Sequence, residues 1–360
     1  MVRLARSRSL KRIGLSALSL GVVVATFAYF LPTIADYGDV WDTVKDLSWQ
    51  WLVALAVTAA VSLATFAPPW MVALPGLSFG RAFEVTQIST ALSIVVPGGA
   101  AAGFASSFAL LRSWGVPSWQ ITRAVTLTGL WNQFMNLSFP IVGVFLLSIS
   151  GGRTAGVATA AFIGVAILGV LVTGFVLVLI SDRLAEDVGD VAARFANWAL
   201  GKIRRGPVSW SGKNFERFRH EAGTLVTRRW HLLTLTALAG SLTTFLTLYV
   251  SLRALGVSSD EVTGEEAFAA WAFVRLLGTI PITPGGFGVV ELALTGTLVG
   301  FGGQNAEVVA AVLVYRFLTV MPPIAAGLIA AFTSRGHRKA ALATPAPEDV
   351  TVAPLDDGAV

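Results

Sequence analysis

Hydrophobic residues along this chain are grouped in long runs, and polar residues are concentrated between the runs. Each of six runs is long enough for a helix to cross roughly 30 Å of hydrocarbon. The runs cover residues 13–31, 51–74, 124–148, 155–180, 230–252 and 307–332. The pattern therefore predicts an all-α polytopic membrane protein with six transmembrane helices.

Two further hydrophobic regions, residues 82–111 and 267–299, are each interrupted by a proline and two glycines. Proline removes a backbone donor and clashes with the preceding helical turn, while glycine allows the chain to reverse. Because backbone groups freed at membrane depth need polar partners, broken helices are expected where they line a cavity. The interruptions are formed by Pro97, Gly98 and Gly99 in the first region and by Pro284, Gly285 and Gly286 in the second.

Charges between the runs predict the side of the membrane on which each segment lies. Basic residues are concentrated before residue 13, between residues 181 and 229 and after residue 334, whereas aspartates dominate residues 36–46. Cytoplasmic segments carry an excess of lysine and arginine, so both termini and the long basic loop are predicted to be cytoplasmic. Both termini and the basic loop can all be cytoplasmic only if each interrupted region leaves the membrane on the side from which it entered. We therefore predict two re-entrant helical hairpins, the first entering from the cytoplasm and the second from outside.

The composition supports a membrane protein and excludes several other classes. Of the 360 residues, 54% are hydrophobic and 13% are charged, and the mean hydropathy is +0.71. The net charge of +5 does not indicate a nucleic-acid partner, because the basic residues flank the hydrophobic runs. The chain has no cysteine, and its three histidines have no zinc-binding spacing, so we expect neither a metal nor a cofactor.

The two halves of the chain resemble each other in the order and spacing of several features. The matching positions are residues 62–66 with 241–245, Gly115 with Gly302, and Pro140 with Pro323. Each half holds three spans and one hairpin, and because three is odd the second half is predicted to be inverted relative to the first. Inverted repeats whose broken helices meet near the bilayer midplane recur among secondary transporters.

The predicted organisation has four parts: a basic N-terminus at 1–12, a first repeat at 13–150, a second repeat at 151–335 and a disordered tail at 336–360. The second repeat includes the basic loop 181–229. Apolar residues at helical spacing between 184 and 198 predict an amphipathic helix in this loop. The run 13–31 is predicted to remain as a span rather than to be cleaved, because its apolar core is longer than that of a usual signal peptide.

Three charged residues, Arg275, Glu291 and Arg316, lie within hydrophobic stretches. A charge there costs roughly 2.5–3.5 kcal/mol unless it is paired or hydrated. One interpretation is a polar cavity in which the arginines bind a phosphate, while Glu291 engages a cationic headgroup or balances an arginine. The other interpretation is a structural ion pair near the outer interface, with side chains reaching towards water.

Amides in the last span of the first half provide a second group of candidates. The alignment pairs Gln133 with Arg316, so the first half has a neutral polar patch where the second half has a tyrosine and an arginine. Amides at such positions also commonly join helices. The predicted substrate-binding residues are Pro97, Gly98, Gly99, Asn132, Gln133, Asn136, Arg275, Thr283, Pro284, Gly285, Gly286, Glu291, Tyr315 and Arg316.

The second motif, which runs from Ile280 to Glu291, resembles the signature of the lysylphosphatidylglycerol synthase transmembrane-region family. This is the flippase-like membrane half of the multiple peptide resistance factors. The resemblance covers roughly residues 10–335, and Arg275 and Arg316 belong to it. It implies movement of lipids, notably aminoacylated phospholipids, between the leaflets of the cell membrane. The chain has no room for the soluble aminoacyl-transferase domain, so we expect that it does not synthesise a modified lipid.

The sequence therefore predicts a lipid translocase that moves an anionic or aminoacylated phospholipid, or a lipid-linked intermediate, through a cavity between inverted repeats. The alternative is an ion-coupled transporter of small solutes, which the same architecture would serve. We predict no enzymatic activity, because no catalytic triad or metal cluster is found near the hairpins. No phosphate-binding loop for nucleotides is present either. Membrane lipids are the expected partners, and a lipid-modifying enzyme or glycosyltransferase is a further candidate partner.

Overall fold

The computed structural model describes residues 37–96, 99–149, 169–170, 173–174, 177, 212–278 and 283–343. Within these residues the regular secondary structure is helical and no strand occurs. The helices are numbered α1 to α10 in chain order, and a short 3-10 turn at Pro284–Gly286 lies between α8 and α9. The helices are Tyr37–Lys45, Trp49–Thr65, Pro68–Ala73, Phe79–Val95, Gly99–Ser113, Ser118–Ile149, Gly212–Ala254, Gly264–Gly278, Val289–Phe301 and Asn305–Ala343.

Four of the six predicted spans coincide with helices that are long and apolar enough to cross a membrane. These helices cover Trp49–Ala73, Ser118–Ile149, Leu225–Ala254 and Asn305–Phe332. The predicted span at residues 13–31 lies outside the described residues, and so does nearly all of the span at 155–180. The N-terminus at 1–12 and the amphipathic helix predicted at 184–198 are outside them as well.

Each interrupted hydrophobic region forms two short helices that pack against each other, α4 with α5 and α8 with α9. In the first pair, α4 ends at Val95 and α5 begins at Gly99. Gly99 then lies beside Ser93, and Gly103, one turn further on, lies beside Ser93 and Ser89. A residue later in α5 therefore contacts residues earlier in α4, so the two helices are antiparallel. The helices begin and end within three residues of the predicted regions 82–111 and 267–299.

The two halves are joined by exchanged contacts. The first short helix of each pair packs against the last long helix of the other half, so α4 packs on α10 and α8 packs on α6. Glycine permits one of these contacts, because a side chain at Gly327 would come within 2.6 Å of Ala91 Cβ and of the Gln87 carbonyl oxygen. The last long helix of each half therefore packs against the first short helix of the other half's pair.

Helices α2 and α7 also pack together, and they do so through residues that the sequence alignment had matched. The hydroxyls of Ser62 and Thr244 lie 3.4 Å apart, and those of Thr65 and Thr243 lie 2.8 Å apart. The Thr65 carbonyl oxygen also approaches Gly240. Since the partner number falls as the residue number rises, α2 and α7 are antiparallel at this crossing.

The buried residues form two main clusters. The larger cluster lies among α7 to α10 and includes Leu252, Trp271 and Leu298. The smaller lies among α3 to α7 and includes Leu111 and Leu127. Large hydrophobic side chains also remain exposed along the spans, such as those of Leu52, Val57, Leu235 and Phe317. Hydrocarbon solvates such side chains, so this surface suits a protein surrounded by lipid.

Three segments are more helical than the sequence predicted. Helix α1 occupies part of the aspartate-rich loop, and α7 begins at Gly212, inside the predicted loop 181–229. Helix α10 continues to Ala343, so residues 336–343 are helical, although the tail 336–360 was predicted to be disordered. Alanine, arginine and lysine are strong helix formers, which favours continuing the helix beyond the hydrophobic span. Residues 344–360 lie outside the described residues.

Candidate functional site

A cavity of about 280 Å³ lies among α6, α8, α9 and α10, next to the second Pro-Gly-Gly turn. Its polar lining combines two guanidinium groups, one phenol and one amide, and the rest of its wall is apolar. The polar lining residues are Asn136, Arg275, Tyr315 and Arg316, and the remaining wall is formed by Trp271, Val274, Gly278, Gly285, Val290 and Leu294.

Arg275 is held in this cavity by neutral groups. Its Nε donates to Asn136 Oδ1 over 2.5 Å, and its Nη2 donates to the hydroxyl of Ser241 over 3.3 Å. The guanidinium carbon lies 5.1 Å from the ring centroid of Trp271 and 5.9 Å from that of Phe139. Aromatic faces attract cations, but they do not cancel the charge. Within the described chain, the hydrogen-bond acceptors of Arg275 therefore leave its positive charge uncompensated.

Arg316, in contrast, is neutralised by a carboxylate. Its Nε lies 2.6 Å from Glu291 Oε1, and the Glu291 side chain is only 1% exposed. The second oxygen of Glu291 accepts a hydrogen bond of 2.7 Å from the backbone amide of Gly288, at the start of α9. A carboxylate at this position also interacts favourably with the helix dipole. Glu291 thus balances an arginine, an arrangement that both interpretations of the sequence allow.

The Pro-Gly-Gly turn is attached to α10 through the same arginine. Arg316 Nη2 donates to the carbonyl oxygen of Gly285 over 2.8 Å. Gly285 has a φ of 61°, a left-handed conformation that costs glycine little and other residues more. The hydroxyl of Thr283 closes the turn by donating to the carbonyl oxygen of Phe287 over 2.8 Å. Arg316 therefore contacts the turn, the carboxylate and the cavity at once.

Some of the predicted substrate-binding residues line the cavity, and others do not. Asn136, Arg275, Gly285, Tyr315 and Arg316 line it. Thr283, Gly286 and Glu291 are buried and are not among the lining residues. Pro284 begins the 3-10 turn.

The predicted residues of the first half are more dispersed. Asn132 and Gln133 are exposed on α6, where Gln133 Oε1 accepts a hydrogen bond from Asn136 over 3.2 Å. Gly99 is buried against α4, and an added Cβ would lie 1.8 Å from the Ser93 carbonyl oxygen, so its place in the structure is one of close helix packing. Pro97 and Gly98 lie outside the described residues.

Several residues that contact Arg275 were not predicted. Ser241 accepts a hydrogen bond from Arg275. In the sequence, Ser241 stood out only as part of the segment that matches residues 62–66. Trp271 precedes Arg275 by four residues, a spacing that places both side chains on one face of α8. That spacing was a usable signal. Phe139 lies near Arg275 only because α6 packs on α8, and a contact of this kind has no signal in a single sequence.

A second cavity, of about 160 Å³, lies among α2, α4, α7 and α10. Its polar lining consists mainly of uncharged hydroxyl and amide groups, from Ser62, Thr86, Gln87, Thr90, Thr244 and Thr319. Arg275 lines this cavity as well as the larger one. One guanidinium therefore lies at the wall of both spaces.

The chemistry of the larger cavity suits an anion. Arg316 and Glu291 form a neutral pair, so Arg275 gives the cavity a net positive charge in the described part of the chain. A guanidinium binds phosphate or carboxylate with two parallel hydrogen bonds. Among the described residues no group of three histidine, aspartate or glutamate side chains is arranged to hold a metal ion.

Comparison with known proteins assigns the chain to a family. No curated protein matches it significantly. The family described as "Lysylphosphatidylglycerol synthase TM region" matches residues 16–327, which include every residue that lines the larger cavity. This agrees with the resemblance of the second motif. The chain is therefore a member of the lysylphosphatidylglycerol synthase TM region family.

Proposed function

We propose that this protein is a lipid translocase that moves an anionic or aminoacylated phospholipid, or a lipid-linked intermediate, between the two leaflets. The observation that carries the proposal is the uncompensated guanidinium of Arg275 in a cavity enclosed by membrane helices. Placing a lone positive charge among apolar helices is costly. An anionic headgroup would neutralise it, whereas a purely structural arginine would be expected to have a carboxylate partner, as Arg316 has.

The lengths of the broken helices support re-entrant hairpins. Helices α4, α5, α8 and α9 contain 17, 15, 15 and 13 residues. At 1.5 Å per residue they are about 20–26 Å long, which is less than the hydrocarbon thickness of roughly 30 Å. Each pair is therefore better suited to enter and return than to cross twice.

The contacts between the halves support an inverted repeat. Two-fold symmetry about an axis in the membrane plane would bring equivalent helices together in opposite directions. Helices α2 and α7 meet in this way, through Ser62, Thr65 and their aligned region around Thr244. The exchange of α4 onto α10 and α8 onto α6 follows the same symmetry.

These features favour a mechanism in which the headgroup moves through the protein while the acyl chains stay in lipid. The phosphate would bind Arg275, and motion of the repeats against each other would open the cavity to either leaflet in turn. The sequence has no nucleotide-binding loop. Gradients, the membrane potential or consumption of the lipid on one side would then drive net movement. We place both termini in the cytoplasm and the protein in the cell membrane.

The proposal is tested by a leaflet-resolved assay in proteoliposomes with fluorescently labelled phospholipids. Arg275→Gln removes the charge but keeps a polar side chain, so we expect the rate of lipid movement to fall by about tenfold to hundredfold, the effect of losing charge-assisted hydrogen bonds. The control is Arg112→Gln, because Arg112 is exposed at the end of α5. Equal rates for Arg275→Gln and the control would contradict the proposal. Uptake of a soluble anion without lipid movement would favour the small-solute transporter.

A further inference from the structure

Among its threonine, serine and glutamine side chains, the smaller cavity presents mainly hydrogen-bond acceptors. The hydroxyls of Thr86, Thr244 and Thr319 each donate to a carbonyl oxygen four residues earlier in their own helix, over 2.8–3.1 Å. A hydroxyl has one hydrogen to donate and two lone pairs to accept with. Because the hydrogens are used within the helices, the oxygen lone pairs are what these residues offer to a ligand.

Ser62 and Gln87 follow the same arrangement, whereas no described hydrogen bond uses the hydroxyl of Thr90. Since Thr244 donates to Gly240, its contact of 3.4 Å with Ser62 uses the hydrogen of Ser62. Gln87 donates its Nε2 to the carbonyl oxygen of Leu63 over 3.2 Å, and its Oε1 is left as an acceptor. Gln87 is only 2% exposed, so its amide is fixed at the wall of the cavity.

A ligand for this cavity must therefore donate hydrogen bonds. Hydroxyl groups and ammonium groups both do so, but Arg275 lines the same cavity, and its positive charge disfavours an ammonium. The volume of about 160 Å³ far exceeds what a single water requires, so it can accommodate a group of several atoms. The lining thus selects an uncharged hydroxylated group that is attached to an anion bound by Arg275.

We propose that the smaller cavity is a headgroup compartment that binds the hydroxyls of a polyol phosphodiester, while Arg275, at the wall of both cavities, binds its phosphate. This inference rests on the proposed function, because it assigns a substrate class to the same site. It predicts that the protein prefers a lipid whose headgroup is an uncharged polyol to one with the same phosphate charge and no hydroxyl.

The experiment uses the full chain in proteoliposomes and three labelled lipids with the same acyl chains. Phosphatidylglycerol carries two headgroup hydroxyls, phosphatidylmethanol carries the same phosphate charge without them, and phosphatidylethanolamine carries an ammonium. We expect phosphatidylglycerol to move about tenfold faster than either of the others, which corresponds to one or two hydrogen bonds.

Variants of the smaller cavity separate a binding role from a structural one. Thr90→Val keeps the shape of the side chain and removes its hydroxyl, and Gln87→Leu removes the amide. We expect each to lower the ratio of the phosphatidylglycerol rate to the phosphatidylmethanol rate from about ten towards one. The control is Thr128→Val, because Thr128 lines neither cavity and its hydroxyl bonds to a carbonyl four residues earlier in its own helix; this variant should keep the wild-type ratio.

The outcomes distinguish this inference from the proposed function. Equal wild-type rates for phosphatidylglycerol and phosphatidylmethanol, or faster movement of phosphatidylethanolamine, would overturn the polyol compartment and leave lipid translocation intact. Variants that slow both lipids by the same factor would assign Gln87 and Thr90 to packing and overturn it as well. If the wild-type protein moves none of the three lipids, movement of an anionic phospholipid, the part of the proposed function on which this inference rests, is contradicted.

Discussion

At the scale of residues, the site depends on two arginines in different electrostatic situations. Arg316 is paired with Glu291 and fixed to the Gly285 carbonyl, so it supports the turn and one cavity wall. Arg275 is held by Asn136 and Ser241, which orient the guanidinium without neutralising it. The sequence predicted both arginines from their position in hydrophobic stretches. It could not predict which of them Glu291 would neutralise, because that depends on how α9 packs against α10.

The ion pair gives a prediction about stability. Glu291→Gln leaves the Arg316 charge without its carboxylate, and breaking a buried pair from one side typically costs about 3–5 kcal/mol. We expect a loss of this size in the free energy of unfolding, measured by denaturation in mixed detergent micelles. The double variant Glu291→Gln with Arg316→Gln should recover part of it, because no unpaired charge remains. Asp260→Asn, at an exposed connector, is the control, and a single variant as stable as this control would contradict the role of the pair.

At the scale of elements, the broken helices and four of the six spans could be predicted, because hydropathy, proline and glycine act locally. The helical extensions of α7 and α10 could not, since a drop in hydrophobicity marks the end of a membrane span and does not mark the end of a helix. The partners of the broken helices could not be predicted either. The packing of α4 on α10 joins segments that are more than 200 residues apart, and a single sequence carries no signal for a contact of that separation.

That packing gives a prediction at the same scale. Gly327→Val places a branched side chain against Ala91 Cβ and the Gln87 carbonyl oxygen, where no space exists. We expect a destabilisation of about 1–3 kcal/mol, which is typical of overpacking, measured as a shift in thermal unfolding in detergent. Gly296→Val is the matched control, because no atom lies within 4 Å of the Cβ that it would add. Equal unfolding of the two variants would show that α10 and α4 do not meet closely here.

At the scale of the whole molecule, the proposed arrangement of two inverted halves is a prediction from the internal similarity and the loop charges. The matching residues 62–66 and 241–245 meet at the crossing of α2 and α7, a contact that their similarity alone did not establish. The cavity lies mainly among helices of the second half, with Asn136 of α6 as its contribution from the first. The sequence predicted binding residues in both halves, with every charged candidate in the second half, and the charged residues that line the cavity lie there.

The topology can be tested directly because the chain has no cysteine. Single cysteines at Ser78 and Ser113 flank the first pair of short helices, and cysteines at Ser258 and Gln304 flank the second. If both pairs are re-entrant, a membrane-impermeant thiol reagent should label the first two positions only from the cytoplasmic side. It should label the last two only from outside. Labelling of the two ends of either pair from opposite sides would show that the pair crosses the membrane.

The exchanged packing of α4 on α10 and α8 on α6 has a consequence for biosynthesis. When a ribosome has completed the first half, α4 still lacks the helix that will cover it, because α10 belongs to the second half. The first half therefore cannot complete its packing in the bilayer until α10 has been synthesised. A gene divided between the repeats should yield stable polypeptides only when both fragments are co-expressed in the same cell.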